Sequence, residues 1–386
     1  MKISLITDGI YPYVIGGMQR HSFYLAKYLA KNGVKVDLYH TNKQKKWQID
    51  NLEGFTELEL RNITNICIPY PQLKFKFPGH YLLTSYLYSR KIFKILRKKP
   101  SDFIYTKGLA GWETIRKRKS GKISTRVGVK VHGYEMYQFA PNWKIKLQHL
   151  LLRPAFEYVN QNADFVFSYG GKITDIISSK LLIDESKIIE IPSGIDEWWI
   201  EPYTKSKEDS IRKFVFIGRY ERRKGIEELH QVLNDLIKTN VEFQFTFIGP
   251  IPEVHQIIDK RISYLGSITD NEKIKNVLTK SDILVCPSYS EGMPNVILEG
   301  MATGNAIIAT DIGAVNQLVN RDNGWLISIK NIKYNLSKAI FESLDLKNET
   351  LRRMKIKSIE IVSDQFTWEK VFNHLINAIS KQKLPS

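Results

Sequence analysis

Short apolar, β-branched or aromatic runs alternate with helix-length segments from one end of the chain to the other, and no other feature limits the fold as much. The runs read KISLIT, VKVDLYH, DFIYT, VGVKVH, FVFSY and IIEIPSG, then KFVFIG, FQFTFIG, ISYLG, ILVCPS, AIIAT and GWLIS. Strands buried on both faces read as continuous apolar stretches, and strands alternating with helices pair in parallel. The expected class is therefore α/β, built twice. At 386 residues the chain is too long for one ordinary domain and sufficient for two. After IPSGIDEWWIEPY comes a polar stretch before a fresh strand, which places an interdomain linker at about 197–212 and the first domain at 1–196. A second domain over 197–364 follows, and residues 365–386 contain an amphipathic helix, FTWEKVFNHLINAISK. Trp368, Val371, Phe372, Leu375, Ile376 and Ile379 share one side of it.

Several classes fall away on composition. An apolar fraction of 43% with 25% charged residues is that of a globular protein, not of a disordered or fibrous one. Cys67 and Cys286 lie in separate halves and make no ligand spacing, so neither a disulfide framework nor a zinc site is expected, and a reducing compartment fits. Asp8 interrupts what would be the apolar core of a signal peptide, and no run of about 18 apolar residues occurs. A cytoplasmic protein is expected. The net charge of +17 is unevenly placed: residues 1–196 hold 31 Lys+Arg against 16 Asp+Glu, and residues 197–386 hold 26 against 24. Basic excess serves nucleic acid, anionic membranes, acidic substrates or solubility alone.

Ligands of doubly wound sheets bind beyond the carboxyl ends of the strands. Those ends read DGIYPYVIGG, VHGYE, PSGID, IGRYERRKG, LGSIT, PSYSEGMPN and TDIGA, and their glycines over both halves suggest a cleft between two facing domains. In SEGMPNVILEGM, Pro294 suits the first helical turn, where a missing N–H costs nothing. Glu291 then lies before the helix and Glu299 about one turn into it. Between them, the amides near Asn295 and Val296 and the positive end of the dipole form an anion site. Two carboxylates so placed can grip hydroxyl groups on either side of a diphosphate; equally, Glu291 can be a cap and Glu299 a solvated helix residue. Arg219 and Lys224 follow a strand and precede a helix, where cations neutralise a pyrophosphate leaving group, a task other transferases give to a metal. A charged turn is the plainer reading of the same residues. The chain has no Asp-x-Asp, and DNE at 270–272 reads as helix capping, so no metal ligands are assigned. Gly16 and Gly17 open a helix after the first strand, without the acidic partner of a nicotinamide site. His132 closes another strand, where structural and functional roles are about equally expected.

Taken in order, GGMQRH, VHGYE, PSGID, IGRYERRKG, SEGMPNVILE and NGWLI resemble glycosyltransferase family 4. The resemblance implies a GT-B architecture: two Rossmann-like domains facing across a cleft, with the C-terminal helix crossing back to the first. It implies a retaining, metal-independent transfer from a nucleotide-activated sugar. Arg219 and Lys224 would bind the diphosphate with the amides of Asn295 and Val296, and Glu299 the ribose. Glu291 and the amides of Gly292 and Met293 would hold the donor sugar, which His132 would also face. Gly16 and Gly17 would approach the phosphates, and the backbone near Ile268 would read the base. No separate cofactor is implied, the nucleotide sugar being a substrate, with a UDP-sugar favoured over a GDP-sugar. Where the family has Gly-Gly-x-x-Glu, this chain has Ile312 for one Gly and Asn316 for the Glu.

The acceptor is expected to meet the first domain and to be a glycan or a lipid-linked sugar. Between Glu59 and Asp102 there is no acidic residue but nine Lys+Arg, interleaved with aromatic and aliphatic side chains. Such a mixture suits the anionic inner face of a membrane, and it equally suits an ordinary amphipathic helix. A sugar-nucleotide 2-epimerase on the same fold is the rival reading. Nucleic acid is not an expected partner, because the basic runs match no recognition motif.

Overall fold

The computed structural model describes residues 1–42, 52–73, 75, 77–203 and 211–381. They form two compact units: Met1–Tyr137 with Asn142–Ser193 and Trp368–Ser386, and Gln138–Pro141 with Gly194–Thr367. The first unit contains β1 (Lys2–Ile6), α1 (Gly17–Lys31), β2 (Lys35–His40), α2 (Glu57–Leu60), β3 (Ile63–Cys67), α3 (His80–Leu96) and β4 (Phe103–Lys107). It continues with α4 (Trp112–Lys119), β5 (Val127–Lys130), α5 (Trp143–Gln161), β6 (Phe165–Ser168), α6 (Lys172–Ser179) and β7 (Ile188–Glu190). The second unit contains β8 (Arg212–Ile217), α7 (Ile226–Leu236), β9 (Phe243–Ile248), β10 (Ile262–Tyr264), α8 (Asn271–Thr279) and β11 (Ile283–Cys286). After these come α9 (Asn295–Ala302), β12 (Ala306–Thr310), β13 (Gly324–Ile327), α10 (Ile332–Leu344) and α11 (Asn348–Gln365); α12 (Trp368–Lys381) returns to the first unit.

Both sheets are parallel throughout, ordered β3-β2-β1-β4-β5-β6-β7 and β10-β9-β8-β11-β12-β13. The apolar runs explain this directly, because every residue of β4, β5, β6, β11 and β12 is buried and a strand without a wet face needs helices on both sides. In the second unit Phe214, Phe216, Phe245 and Phe247 of the sheet meet Leu229 and Leu233 of α7 and Leu336 and Ile340 of α10.

One strand escapes the sequence pattern. Ile63–Cys67 forms the edge of the first sheet, and its residues are only partly buried, with Thr64 exposed. An edge strand with Thr and Asn among its five residues lacks the continuous apolar signature of the others. The final helix packs as its pattern indicates. Trp368, Val371, Phe372, Leu375 and Ile379 are buried in the first unit's core, with Ile376 packed against it, and Trp368 stacks on Tyr24 at 5.7 Å between ring centroids.

The stretch expected to be a linker is partly packed chain. Ile195 pairs with Thr367 and Trp199 is buried. The Lys275 ammonium binds the Trp198 carbonyl and lies 2.6 Å from Glu201, and the Glu201 amide donates to Ala302. The aromatic pair Trp198–Trp199 thus fastens residues 195–201 to the second unit, a role hidden by the polar residues that follow. Residues 204–210 of that stretch lie outside those described.

Candidate active site

In the second sheet the connections run outward in opposite directions from between β8 and β11. A ligand crevice forms at such a switch point, past the carboxyl ends of the two strands. The loops leaving those strands carry Arg219 and Lys224 on one side and Glu291, Gly292 and Met293 on the other.

Backbone contacts draw these loops together. The Tyr289 amide donates to the Arg223 carbonyl at 2.7 Å. Gly225 has φ +66°, and a Cβ there would stand 1.9 Å from the Pro287 carbonyl oxygen, so only glycine permits this approach. The result is a short contact: Lys224 Nζ lies 2.5 Å from Glu291 Oε1, with Arg223 Nη1 at 3.8 Å from the same oxygen. The Lys224 and Glu291 side chains are 16% and 12% exposed, enough for a ligand to reach and little enough for the charges to act strongly. Arg219 is 64% exposed and pairs with Glu221 at 3.1 Å. Arg222 turns away to Glu228 and the face of Tyr289.

Beside Glu291, the loop after β12 supplies Gly313. Its φ is +52°, and a Cβ would lie 2.3 Å from the Glu291 carbonyl and 2.4 Å from that of Gly292. The Ala314 amide donates to the Gly292 carbonyl at 2.7 Å. The departures from the family pattern can now be placed: Ile312 is buried, Asn316 is exposed, and the glycine required by close approach is the one retained. The sequence reasoning missed Gln138. Its side-chain amide donates to the Glu291 carbonyl at 2.8 Å and its Oε1 accepts from the Glu291 amide at 3.3 Å, while Phe139 stacks on Tyr289. More than 150 residues separate these partners, and no local pattern in YQFAPN signals the contact.

Pro294 is the N-cap of α9 and not part of its first turn, as the sequence had suggested; its φ of −73° and ψ of 120° are extended, and Asn295 begins the helix. The reason proline serves here is unchanged, since it brings no N–H. No side chain caps this helix, so the positive end of its dipole lies beside the Lys224–Glu291 pair in sequence and fold. Glu299 is buried on α9, neither solvated nor a surface charge. Burial pushes the Cys286 thiol up to about 11, the Glu291 carboxylate adding to it, so this neighbour remains protonated and is no nucleophile. Ile268 lies between β10 and α8, near where the Gly249 amide bonds the Gly266 carbonyl at 2.8 Å. Asp270 caps α8, accepting from the Glu272 and Lys273 amides, as the DNE pattern indicates.

In the first unit, Gly16 precedes α1 and Gly17 begins it, again with no capping side chain. His132 Nδ1 lies 2.7 Å from the Tyr169 hydroxyl. Burial raises the Tyr169 phenol well above its ordinary range, so it stays protonated; which partner donates in this bond follows the His132 tautomer. Two buried lysines pass unnoticed in the sequence. Lys107 ends β4 and lies 2.8 Å from His21 Nδ1, and Lys130 ends β5, over the Tyr169 ring at 3.8 Å. Burial holds both lysines well below their ordinary range, with Asp8 opposing this for Lys107 and Lys107 adding to it for Lys130. Asp8, Lys107, Tyr81 and Tyr88 line a small cavity between the ends of β1 and β4, the switch point of the first sheet. The structure thus joins Lys224 to Glu291, keeps Arg219 and Glu299 on the same loops and helix, and places Gly16, Gly17 and His132 at strand ends of the other unit.

Residues 15–198 match the family described as Glycosyltransferase Family 4, and residues 211–345 match that described as Glycosyl transferases group 1. The chain belongs to glycosyltransferase family 4. This glycosyltransferase is 26% identical over 378 residues, 96% of its own length and 95% of the relative's, to an uncharacterized glycosyltransferase of Methanocaldococcus jannaschii. It is 41% identical over 208 residues to the N,N'-diacetylbacillosaminyl-diphospho-undecaprenol alpha-1,3-N-acetylgalactosaminyltransferase of Campylobacter jejuni. That match covers 51% of the glycosyltransferase and 52% of the relative. Sucrose-phosphate synthase from Thermosynechococcus elongatus superimposes with a TM-score of 0.80 at 20% identity, covering 99% of this chain and 98% of that one. The enzyme has two parallel α/β units of the GT-B type.

Proposed function

We propose that this glycosyltransferase is retaining and metal-independent, and moves a hexosyl or N-acetylhexosaminyl group from a nucleotide sugar, a UDP-sugar before a GDP-sugar, to a glycan or lipid-linked acceptor. The observation that carries the reading is the Lys224–Glu291 pair at the start of α9. A diphosphate that draws Lys224, with Arg219 and the amides of Asn295 and Val296, leaves the Glu291 carboxylate to a donor-sugar hydroxyl. Glu299 serves the ribose, Ile268 the base, and Gly292 and Met293 the sugar through their amides. His132, Gly16 and Gly17 take the donor-facing roles that the family likeness assigns.

In the step itself, the bond from the anomeric carbon to phosphate oxygen breaks as the acceptor oxygen bonds the same carbon from the same face. The acceptor proton passes to the departing phosphate oxygen, and Arg219 and Lys224 stabilise its negative charge. Glu291 orients the sugar and offsets positive charge at the anomeric carbon; no second carboxylate is assigned to the double displacement used by retaining hydrolases.

The Campylobacter relative is named for transfer to an undecaprenol-diphosphate-linked sugar, which supports a lipid-linked acceptor here. Acceptor binding is assigned to the first unit, where Asp8 and Lys107 face the switch-point cavity. No helix among the described residues is long and apolar enough to cross a membrane; the proposed meeting with such an acceptor is peripheral, on the cytoplasmic face. Thermal unfolding with UDP, GDP, ADP and their sugars tests the donor assignment. A ligand at 100 times its Kd stabilises by about 2.7 kcal/mol. One nucleotide series raising Tm in the native enzyme, but not in Arg219→Ala/Lys224→Ala, is expected. No response would overturn the donor assignment, and free epimerised nucleotide sugar formed without acceptor would move it to the epimerase reading.

A further inference from the structure

Helix α5 is assembled with its apolar side facing out over its first half. Trp143, Leu147, Leu150 and Leu151 are 70, 52, 47 and 50% exposed. At i, i+4, i+7 and i+8 they fall in one stripe about 100° wide. The packed side is elsewhere on the helix: Ile145, His149 and Leu152 are half-buried, and Ala155 and Phe156 are buried. Lys144 and Lys146 are exposed and fall on opposite margins of the stripe. From Met136 to Phe156 the chain has no acidic residue. Four large apolar side chains side by side on a water-facing surface are unlike the scattered singles of ordinary surfaces, and such patches mark interaction sites.

The basic stretch singled out in the sequence also exposes apolar side chains, Phe75, Phe77, Tyr81, Leu83 and Ile95, but they are spread over residues 75–95 and do not form one stripe on a single helix. Within α3, Tyr88, Ile92 and Leu96 are core residues, so much of the apolar content of residues 74–99 is spent inside the unit. Lys74 and Lys76 of that stretch lie outside the described residues.

We propose that the first half of α5 lies in the plane of an anionic bilayer, inserting Trp143, Leu147, Leu150 and Leu151 at the headgroup–acyl boundary while Lys144 and Lys146 pair with lipid phosphates. The inference rests on the membrane-presented acceptor proposed above and names the surface that reaches it. The occupant is lipid because of the charge pattern: an apolar stripe bordered on both margins by cations, with no carboxylate in the surrounding 21 residues, matches an apolar layer with an anionic rim. Tryptophan at one end of the stripe suits the same boundary, its indole having an apolar body and a polar edge.

The test is co-sedimentation of the full-length enzyme with vesicles of phosphatidylglycerol and phosphatidylethanolamine, and with vesicles of phosphatidylcholine alone. The native enzyme partitions onto the anionic vesicles, and Leu147→Glu/Leu151→Glu lowers that partition about tenfold or more. Lys144→Gln/Lys146→Gln weakens it at low salt and little at high salt. Brominated lipid quenches the native fluorescence, and Trp143→Phe removes most of the quenching. A nucleotide-induced rise in Tm confirms that each variant is folded. Equal partition of the leucine variant and the native enzyme, or no partition of either, overturns the proposal. A concentration-dependent dimer that the leucine variant abolishes, without vesicle binding, assigns the stripe to a second copy and also overturns it. Intact transfer to a soluble acceptor with no vesicle binding rejects this surface alone; vesicle binding with no transfer from any nucleotide sugar rejects the catalytic reading alone.

Discussion

Glu291 and Glu299 flank one helix start but occupy different surroundings, and their removal is expected to fail differently. Glu291 is held by Lys224 at 2.5 Å with its side chain 12% exposed, whereas Glu299 is buried on α9. Glu299→Ala should weaken nucleotide affinity by about 1.5–3 kcal/mol, as for a hydrogen bond involving a charged group. Glu291→Ala should leave nucleotide affinity unchanged or higher, because it frees Lys224, and should lower kcat by about 10²–10³. Calorimetric titration of nucleotide with steady-state rates separates the two, and equal loss of affinity would contradict the roles. The buried lysines make a second residue-level prediction. Lys107 and Lys130 have folded pKa values below the unfolded value of about 10.4, so between the two values the unfolded chain holds more protons and stability rises with pH. Each contributes a slope of at most about 1.4 kcal/mol per pH unit. Urea unfolding from pH 7 to 9 should show the rise, and Lys107→Met/Lys130→Met should flatten it. The placement of Arg219, Lys224, Glu291 and Glu299 on two loops and a helix start was legible because it follows strand–loop–helix grammar; the burial of Lys107 and Lys130 was not, because nothing local tells a buried lysine from a solvated one.

The elements hold the site through a few close approaches. Gly225→Ala would place a methyl group 1.9 Å from the Pro287 carbonyl, and Gly313→Ala one 2.3 Å from that of Glu291. Both sites also have positive φ, so each substitution is expected to cost about 2 kcal/mol or more and to part Lys224 from Glu291. Chemical denaturation and kcat together check this, and a variant with native stability and turnover would count against it. Trp368→Ala in α12 should cost about 3–5 kcal/mol in the first unit, since the ring is buried against His21, Tyr24 and Tyr28. The pattern of α12 showed this packing in advance because its apolar residues fall on one side. Ile63–Cys67 was missed because an edge strand need not be apolar, and Gln138 because its bond to Glu291 depends on which unit residues 138–141 join.

Over the whole molecule, the charge asymmetry of the sequence divides into different tasks. Arg222 and Arg223 of the second unit pair with Glu228 and Glu221, and Arg219 and Lys224 pair with Glu221 and Glu291, so a diphosphate competes with carboxylates for the last two. Under the proposed mechanism those two cations serve where other transferases place a metal. The most direct measurement is acceptor-dependent release of nucleoside diphosphate from the matching nucleotide sugar in excess chelator. Native enzyme should retain its full rate, and Lys224→Ala should lose about 10²–10³ of it, as when one preorganised donor is removed. A rate abolished by chelator and restored by manganese, or a Lys224→Ala enzyme as fast as native, would contradict the account.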